Sequence, residues 1–123
     1  MTKIKQQRVS TEYVASLIDK TVTYSSIIYT HKIEDSKWEL FATVLFNNIS
    51  EPIELILRFK ESVQKNTNPI EKIIDLKKIF ANNDYTNIED TILVMVADEY
   101  AEFINKERAV SYTHLTLPTS YAV

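Results

Sequence analysis

The chain has 123 residues, with 14 Lys and Arg against 17 Asp and Glu, a formal charge of −3. That is the length of one small domain, and the acidic balance argues against a dedicated nucleic-acid binder, which is usually basic. Gly and Cys are both absent; this excludes a P-loop, a dinucleotide fingerprint, a Gly-x-Ser-x-Gly elbow, a disulfide, a thiolate nucleophile and a cysteine-ligated metal.

Residues 1–10 are polar and basic with no apolar run behind them, so no secretion signal is expected. The longest apolar stretch, 92–97, falls far short of the roughly 20 residues a membrane helix needs. A soluble cytoplasmic protein is expected, with no membrane partner. Residues 10–20 read as a short helix. Ser10 or Thr11 caps it, Glu12 suits its first turn, and Val14, Leu17 and Ile18 share a face.

Residues 21–31 are β-branched and aromatic and read as a strand. After a polar turn at 34–37, Trp38, Leu40, Ala42, Val44 and Phe46 alternate as a second strand. Ser36 and Glu39 also satisfy a capping box, so a helix from Ser36 is the rival reading. Asn47 and Asn48 turn the chain without glycine, since Asn tolerates left-handed geometry. Ile53, Leu55, Leu57 and Phe59 then alternate with Glu54, Ile56, Arg58 and Lys60, after a Pro52 acceptable at a strand start. Asn68, Pro69 and Glu71 form a helix-opening signature, and Ile70, Ile73, Ile74, Leu76 and Phe80 give that helix an apolar face. Thr86 and Glu89 open a last helix over 87–108, striped by Ile88, Ile92, Val96, Tyr100 and Phe103 and widened by Leu93 and Ile104.

The expected fold is α+β. It is a two-layer domain with a short N-terminal helix, a three-stranded antiparallel meander and two C-terminal helices; the alternative is all-α. An α-β-β-β-α order resembles double-stranded RNA-binding domains in topology alone. Their Lys-rich motif at the start of the final helix has no match in Asn68-Pro69-Ile70-Glu71, Lys72 and Lys77-Lys78.

Residues 110–119 read Val-Ser-Tyr-Thr-His-Leu-Thr-Leu-Pro-Thr. The string resembles one reading frame of the transposase adapter used in sequencing libraries. The adapter frame also accommodates Ala109, Ser120 and the terminal Val123. The expectation is a single domain over 1–108, truncated at its C-terminus, followed by a junction and translated adapter over 109–123 that takes no part in the fold. His114 lies in that stretch, which leaves His31 as the histidine to consider. The wealth of Ile, Lys, Asn, Tyr and Phe reflects AT-rich codons, and points to a low-GC bacterium or its phage.

Several residues invite a chemical reading. His31 with Glu34 and Asp35 suggests a metal or proton relay, but positions 31 and 34 of a strand face opposite ways. Asp98 and Glu102 share a helix face, opposite the apolar stripe, and read as a solvated pair. Glu99 stands at the edge of that stripe, as a general base, a partner anchor or the mate of a nearby cation. Lys77 interrupts the apolar face of its own helix and is expected to face Asp90 or Thr91. No constellation is specific enough to name a reaction, a cofactor or a metal, so an enzyme is not favoured. Trp38, Phe41, Tyr24 and Tyr29 are read as core or cross-strand aromatics rather than a stacking platform.

The sheet face without helices is expected to expose Ile27, Tyr29, Phe41, Leu45 and Ile56 as a contiguous apolar patch. The favoured function is a small accessory protein that binds a protein partner or itself through that face. One alternative is a phage or mobile-element regulator holding nucleic acid with Arg58, Lys60 and the basic N-terminal arm. The other is the N-terminal fragment of a larger enzyme.

Overall fold

The structure is a computed structural model that describes residues 8–34, 36–63, 68–80 and 85–122, with side chains of the last helix as far as Ala109. The elements run α1 (Thr11–Leu17), β1 (Asp19–Val22), β2 (Ser26–Lys32), β3 (Trp38–Phe46), β4 (Pro52–Glu61), β5 (Ile70–Asp75), α2 (Leu76–Ile79) and α3 (Ile88–Ala122). The five strands lie side by side in chain order, every neighbouring pair antiparallel. The α+β class therefore stands, the all-α alternative falls, and the three-stranded meander is corrected to five strands. The likeness in element order to double-stranded RNA-binding domains goes with it.

Two local events account for the extra strands. The run 21–31 is not one strand but part of a hairpin. The backbone N–H and the hydroxyl of Thr23 both donate to the Ser26 carbonyl, at 2.8 and 3.0 Å, and fold β1 back on β2. The helix expected from Asn68 is instead an edge strand followed by one helical turn. Ile74, Lys72 and Ile70 stand opposite Leu55, Leu57 and Phe59. Glu71, which was to complete a capping box, reaches across to Arg58 at 2.8 Å. Sheet pairing with the best strand in the chain outweighs a local helix signature worth about 1 kcal/mol. Lys72 points inward from this edge strand and pairs with Glu99 of α3 at 2.7 Å. An inward charge also discourages edge-to-edge aggregation.

The remaining elements form where their residues place them. The Ser10 side chain accepts from the Tyr13 N–H and caps α1. β3 is a strand and not the rival helix, with Trp38, Leu40, Ala42 and Val44 buried along one face. The β3–β4 turn works without glycine, but not by a left-handed Asn. Asn47 accepts from the N–H groups of Ile49 and Glu51 through its side chain, and the positive φ of 63° falls on Ser50. A register shift between Leu45 and Phe46 sets Pro52, not Ile53, on the core face of β4.

The core lies between the sheet and the α1–α3 layer. It joins Val14, the inward residues of β2 to β4, Leu76, and Ile92, Val96, Ala97, Tyr100, Ala101 and Ile104 of α3. Phe59 stacks on Phe103 at 4.3 Å and on Tyr100 at 5.9 Å, and Trp38 meets Phe103 edge-on at 5.0 Å. The Tyr29 hydroxyl donates to the Glu89 carbonyl at 2.9 Å and the Tyr100 hydroxyl to the Trp38 carbonyl at 2.7 Å, tying the helix layer to the sheet. Asn105, buried on α3, holds the arm before α1. Its amide accepts from the Val9 N–H at 2.8 Å and donates to the Val9 carbonyl at 3.0 Å, as a neighbouring strand would.

The last helix begins one residue later than expected, after Asn87 at a φ of 58°, and continues past Arg108 to Ala122. Every described member of the buried cluster nevertheless lies at or before Ile104. A chain ending at Arg108 is therefore expected to keep its melting temperature to within about 3 °C, the effect of a change of about 0.5 kcal/mol in a domain this small. A larger drop in a thermal melt would place residues 109–123 in the cooperative fold. Among the described residues, no helix is long and apolar enough to cross a membrane.

Candidate functional site: the open sheet face

Cross-strand partners share a face of the sheet, and successive residues alternate between faces. The register therefore writes out the face turned away from the helices as four rows. The first holds Lys32, Glu39 and Lys60. The second holds Asp19, Thr30, Phe41, Arg58 and Glu71. The third holds Thr21, Ile28, Thr43, Ile56 and Ile73. The fourth holds Ser26, Leu45, Glu54 and Asp75. Apolar side chains gather in the third row and at Phe41 and Leu45 on the central strand, and charged residues stand in the first, second and fourth rows. Phe41, Leu45 and Ile73 are 43, 40 and 54 % exposed, which shows that no described element covers them.

Three of the five residues expected on this face are on it: Phe41, Leu45 and Ile56. Ile27 and Tyr29 are not. They stand opposite Val44 and Ala42 and are buried under the helix layer. Their places are taken by Ile28 and Ile73. The signal for Ile28 was present in the strand itself. In β2 and the residue after it, the odd positions 27, 29 and 33 are apolar, with His31 the exception, and the even positions Ser26, Thr30 and Lys32 are polar, with Ile28 the exception, so the odd set belongs inside. Ile73 was hidden by the helical reading of its segment.

A shallow depression of about 660 Å³ lies over the first two rows, with Phe41, Arg58, Lys32 and Lys60 among its lining residues. Both residues singled out for nucleic acid, Arg58 and Lys60, thus sit on the open face beside an exposed aromatic ring. Their surroundings are mixed. Arg58 is held by Glu71, and Glu39 stands between Lys32 and Lys60 as cross-strand neighbour of each. The opposite end of the face is acidic, with Glu54 and Asp75 in one row.

The other candidates are accounted for elsewhere. His31 stands opposite buried Leu40, half-buried. Burial pushes its imidazole below the ordinary value, and Asp19 pulls weakly the other way. Glu34 is exposed and Asp35 lies outside the described residues. Among the described residues, no three His, Asp or Glu side chains gather in a way that would hold a metal ion. Asp98 accepts from the Thr11 hydroxyl at 3.0 Å, and Glu102 pairs loosely with Lys106 at 3.8 Å. Glu99 is the mate of Lys72, whose ammonium that hydrogen bond pushes above its ordinary value. Lys77 is exposed on α2, not facing a helix partner near Asp90, because the helix pair that expectation assumed does not form. Among the described residues, the buried indole N–H of Trp38 has no hydrogen-bond partner.

Compared with family models, with curated proteins and with solved structures, the chain gives no significant match.

Proposed function

We propose that this protein is a small binding module whose open sheet face receives a protein surface, that of another protein or of a second copy. The observation that carries the reading is the apolar centre of that face, Ile28, Phe41, Leu45, Ile56 and Ile73, framed by charged rows. Continuous apolar surface rimmed by polar groups is the usual anatomy of an interface. A nucleic-acid regulator acting through Arg58 and Lys60 has weaker support. The three cations of the face are interleaved with Asp19, Glu39 and Glu71 and form no uninterrupted basic track.

The absence of cysteine makes a direct test available. A Thr43→Cys variant carries one thiol at the centre of the open face, and a Val94→Cys variant carries one on an exposed side of α3. Each is labelled with a photo-activated cross-linker and illuminated in an extract of the expressing cells. Discrete adducts from position 43, lost when Phe41→Thr and Ile73→Thr are added, are the expected result. Adducts from position 94 alone, or from neither position, would overturn the reading.

A further inference from the structure

The sheet has two edges, β1 with four residues and β5 with six. A short edge is one way of discouraging an added strand, and β5 is the longer. The register tells which of its backbone groups are free. The Ser62 N–H donates to the Lys37 carbonyl at 2.8 Å, one step beyond the Trp38–Glu61 pair. Hydrogen-bonded and non-bonded pairs alternate along an antiparallel ladder. The even residues of β4 therefore turn their backbone toward β3, and the odd ones toward β5. Leu55, Leu57 and Phe59 bond Ile74, Lys72 and Ile70, so Glu71, Ile73 and Asp75 turn theirs outward. Asp75 is taken up as the cap of α2. The N–H and C=O of Glu71 and of Ile73 remain, and among the described residues no backbone group bonds to them. Pro69, at the next outward position, has no N–H to leave unpaired.

We propose that this edge takes an added strand from another protein, an extended segment antiparallel to β5. It carries a β-branched apolar residue opposite Ile73 and a basic residue on either side, opposite Glu71 and Asp75. The inference does not depend on what covers the open face.

Antiparallel addition continues the pairing of every other strand and is the more stable kind. Main-chain bonds supply affinity in such additions, and alternate side chains supply specificity. Here the outward residues all present their side chains on the open face, in the order acid, apolar, acid, with Ile73 54 % exposed. Directly opposite pairs of unlike charge stabilise a ladder, as does an apolar residue over Ile73. Glu71 already holds Arg58 at 2.8 Å. Asp75 stands beside Glu54 in a row with no cation, so the base opposite Asp75 gains more. Lys77 lies instead with Glu51 in a hollow near the β3–β4 turn. On the helix side Lys72 is bonded to Glu99, and the charges of Glu102 and Asp98 also act on it. A second copy is a poor occupant of this edge. The two antiparallel registers of β5 on itself with the longest overlap set Lys72 against Lys72, or Glu71 against Asp75 twice over. Like charges directly opposite destabilise a strand pair.

The probe is the peptide acetyl-Thr-Lys-Thr-Val-Thr-Lys-Thr-amide, titrated into the full chain labelled with nitrogen-15. Its lysines and valine share one face of a strand. Before peptide is added, the amides of Lys72 and Ile74 should exchange with solvent slowly and that of Ile73 fast. The peptide is expected to shift the Glu71 and Ile73 amides most and to slow the exchange of Ile73. A version with glutamate for both lysines, and one N-methylated at the valine, should each bind at least tenfold more weakly. Asp75→Asn keeps a capping side chain for α2 and should weaken the lysine peptide about threefold. A slow Ile73 amide in the free chain would overturn the outward assignment. No shift at β5 with the lysine peptide at millimolar concentration would overturn the site. Equal binding of the N-methylated peptide would rule out strand addition. Equal binding of the glutamate peptide, or no change in Asp75→Asn, would overturn the basic partner.

Discussion

Replacing Phe59 with alanine is expected to remove about 3–5 kcal/mol of stability, a large part of the roughly 5–15 kcal/mol a domain this size has. Phe59 is buried on the helix-facing side of β4 and is the residue on which the two layers meet. Its ring lies parallel to both Phe103, at 4.3 Å, and Tyr100, at 5.9 Å. Truncation opens a cavity between a strand and a helix that are each pinned elsewhere. The Tyr100 hydroxyl is bonded to the Trp38 carbonyl, and β4 is paired on both sides. Little collapse can fill the space, so the cost belongs at the upper end of its range. A fall in melting temperature of about 10 °C or more follows. Phe41→Ala is the internal comparison, because Phe41 lies on β3 beside the same strand but on the open face. It should cost less than about 1 kcal/mol. Equal losses for the two phenylalanines in chemical denaturation would mean that the faces of the sheet have been assigned the wrong way round.

That contrast also marks how far the fold was legible in the residues. The strict alternation of Trp38 to Val44 and of Leu55 to Phe59 identified β3, β4 and their inward face, because period-two burial needs no knowledge of the rest of the chain. The stripe from Ile92 to Ile104 did the same for α3. Where the reading failed, the deciding contact was distant. Ile70, Ile73 and Ile74 stand at helical spacing behind Asn68 and Pro69, and nothing local says that Arg58 offers Glu71 a better partner than a helix cap. The β1–β2 hairpin turns on Thr23 and Ser26, without the Asn-Gly or Asp-Gly that usually announces a two-residue turn. The site was legible in the same measure. Phe41, Leu45, Ile56, Arg58 and Lys60 follow from strands whose alternation was secure. Ile27 and Tyr29 were assigned to the wrong face because their strand was read as one piece, with its phase set by neither the turn nor its polar positions.

Raising the pH above 10 is expected to unfold the protein through two buried phenols. Burial pushes the Tyr100 hydroxyl up to about 12, and the Ile33 backbone beside it opposes the shift only in part. Tyr29 moves further in the same direction, chiefly because it is buried, with the charges of Glu89 and Asp90 adding to the effect. In each case the folded state holds its proton more tightly than the unfolded chain, whose phenols titrate near 10.0. Between pH 10 and 12 the unfolded state thus binds fewer protons than the folded one, and stability falls as pH rises. The contribution is fully present below pH 10. For Tyr100 alone the rise from 10.0 to about 12 corresponds to about 3 kcal/mol. Lys20 and Lys72 act in the same sense at the surface, since hydrogen bonds to Glu89 and Glu99 raise them above 10.5. The melting temperature should therefore be nearly flat from about pH 7 to pH 9 and drop steeply above pH 10, with tyrosinate absorbance appearing together with unfolding. The double variant Tyr29→Phe with Tyr100→Phe separates this cause from general alkaline repulsion. It gives up two hydroxyl hydrogen bonds, to the Glu89 and Trp38 carbonyls, and so starts lower at neutral pH by about 2 kcal/mol in all. Having no buried phenol to ionise, it should lose stability far less steeply above pH 10. A double variant that falls as steeply as the parent would place the alkaline transition outside these two tyrosines.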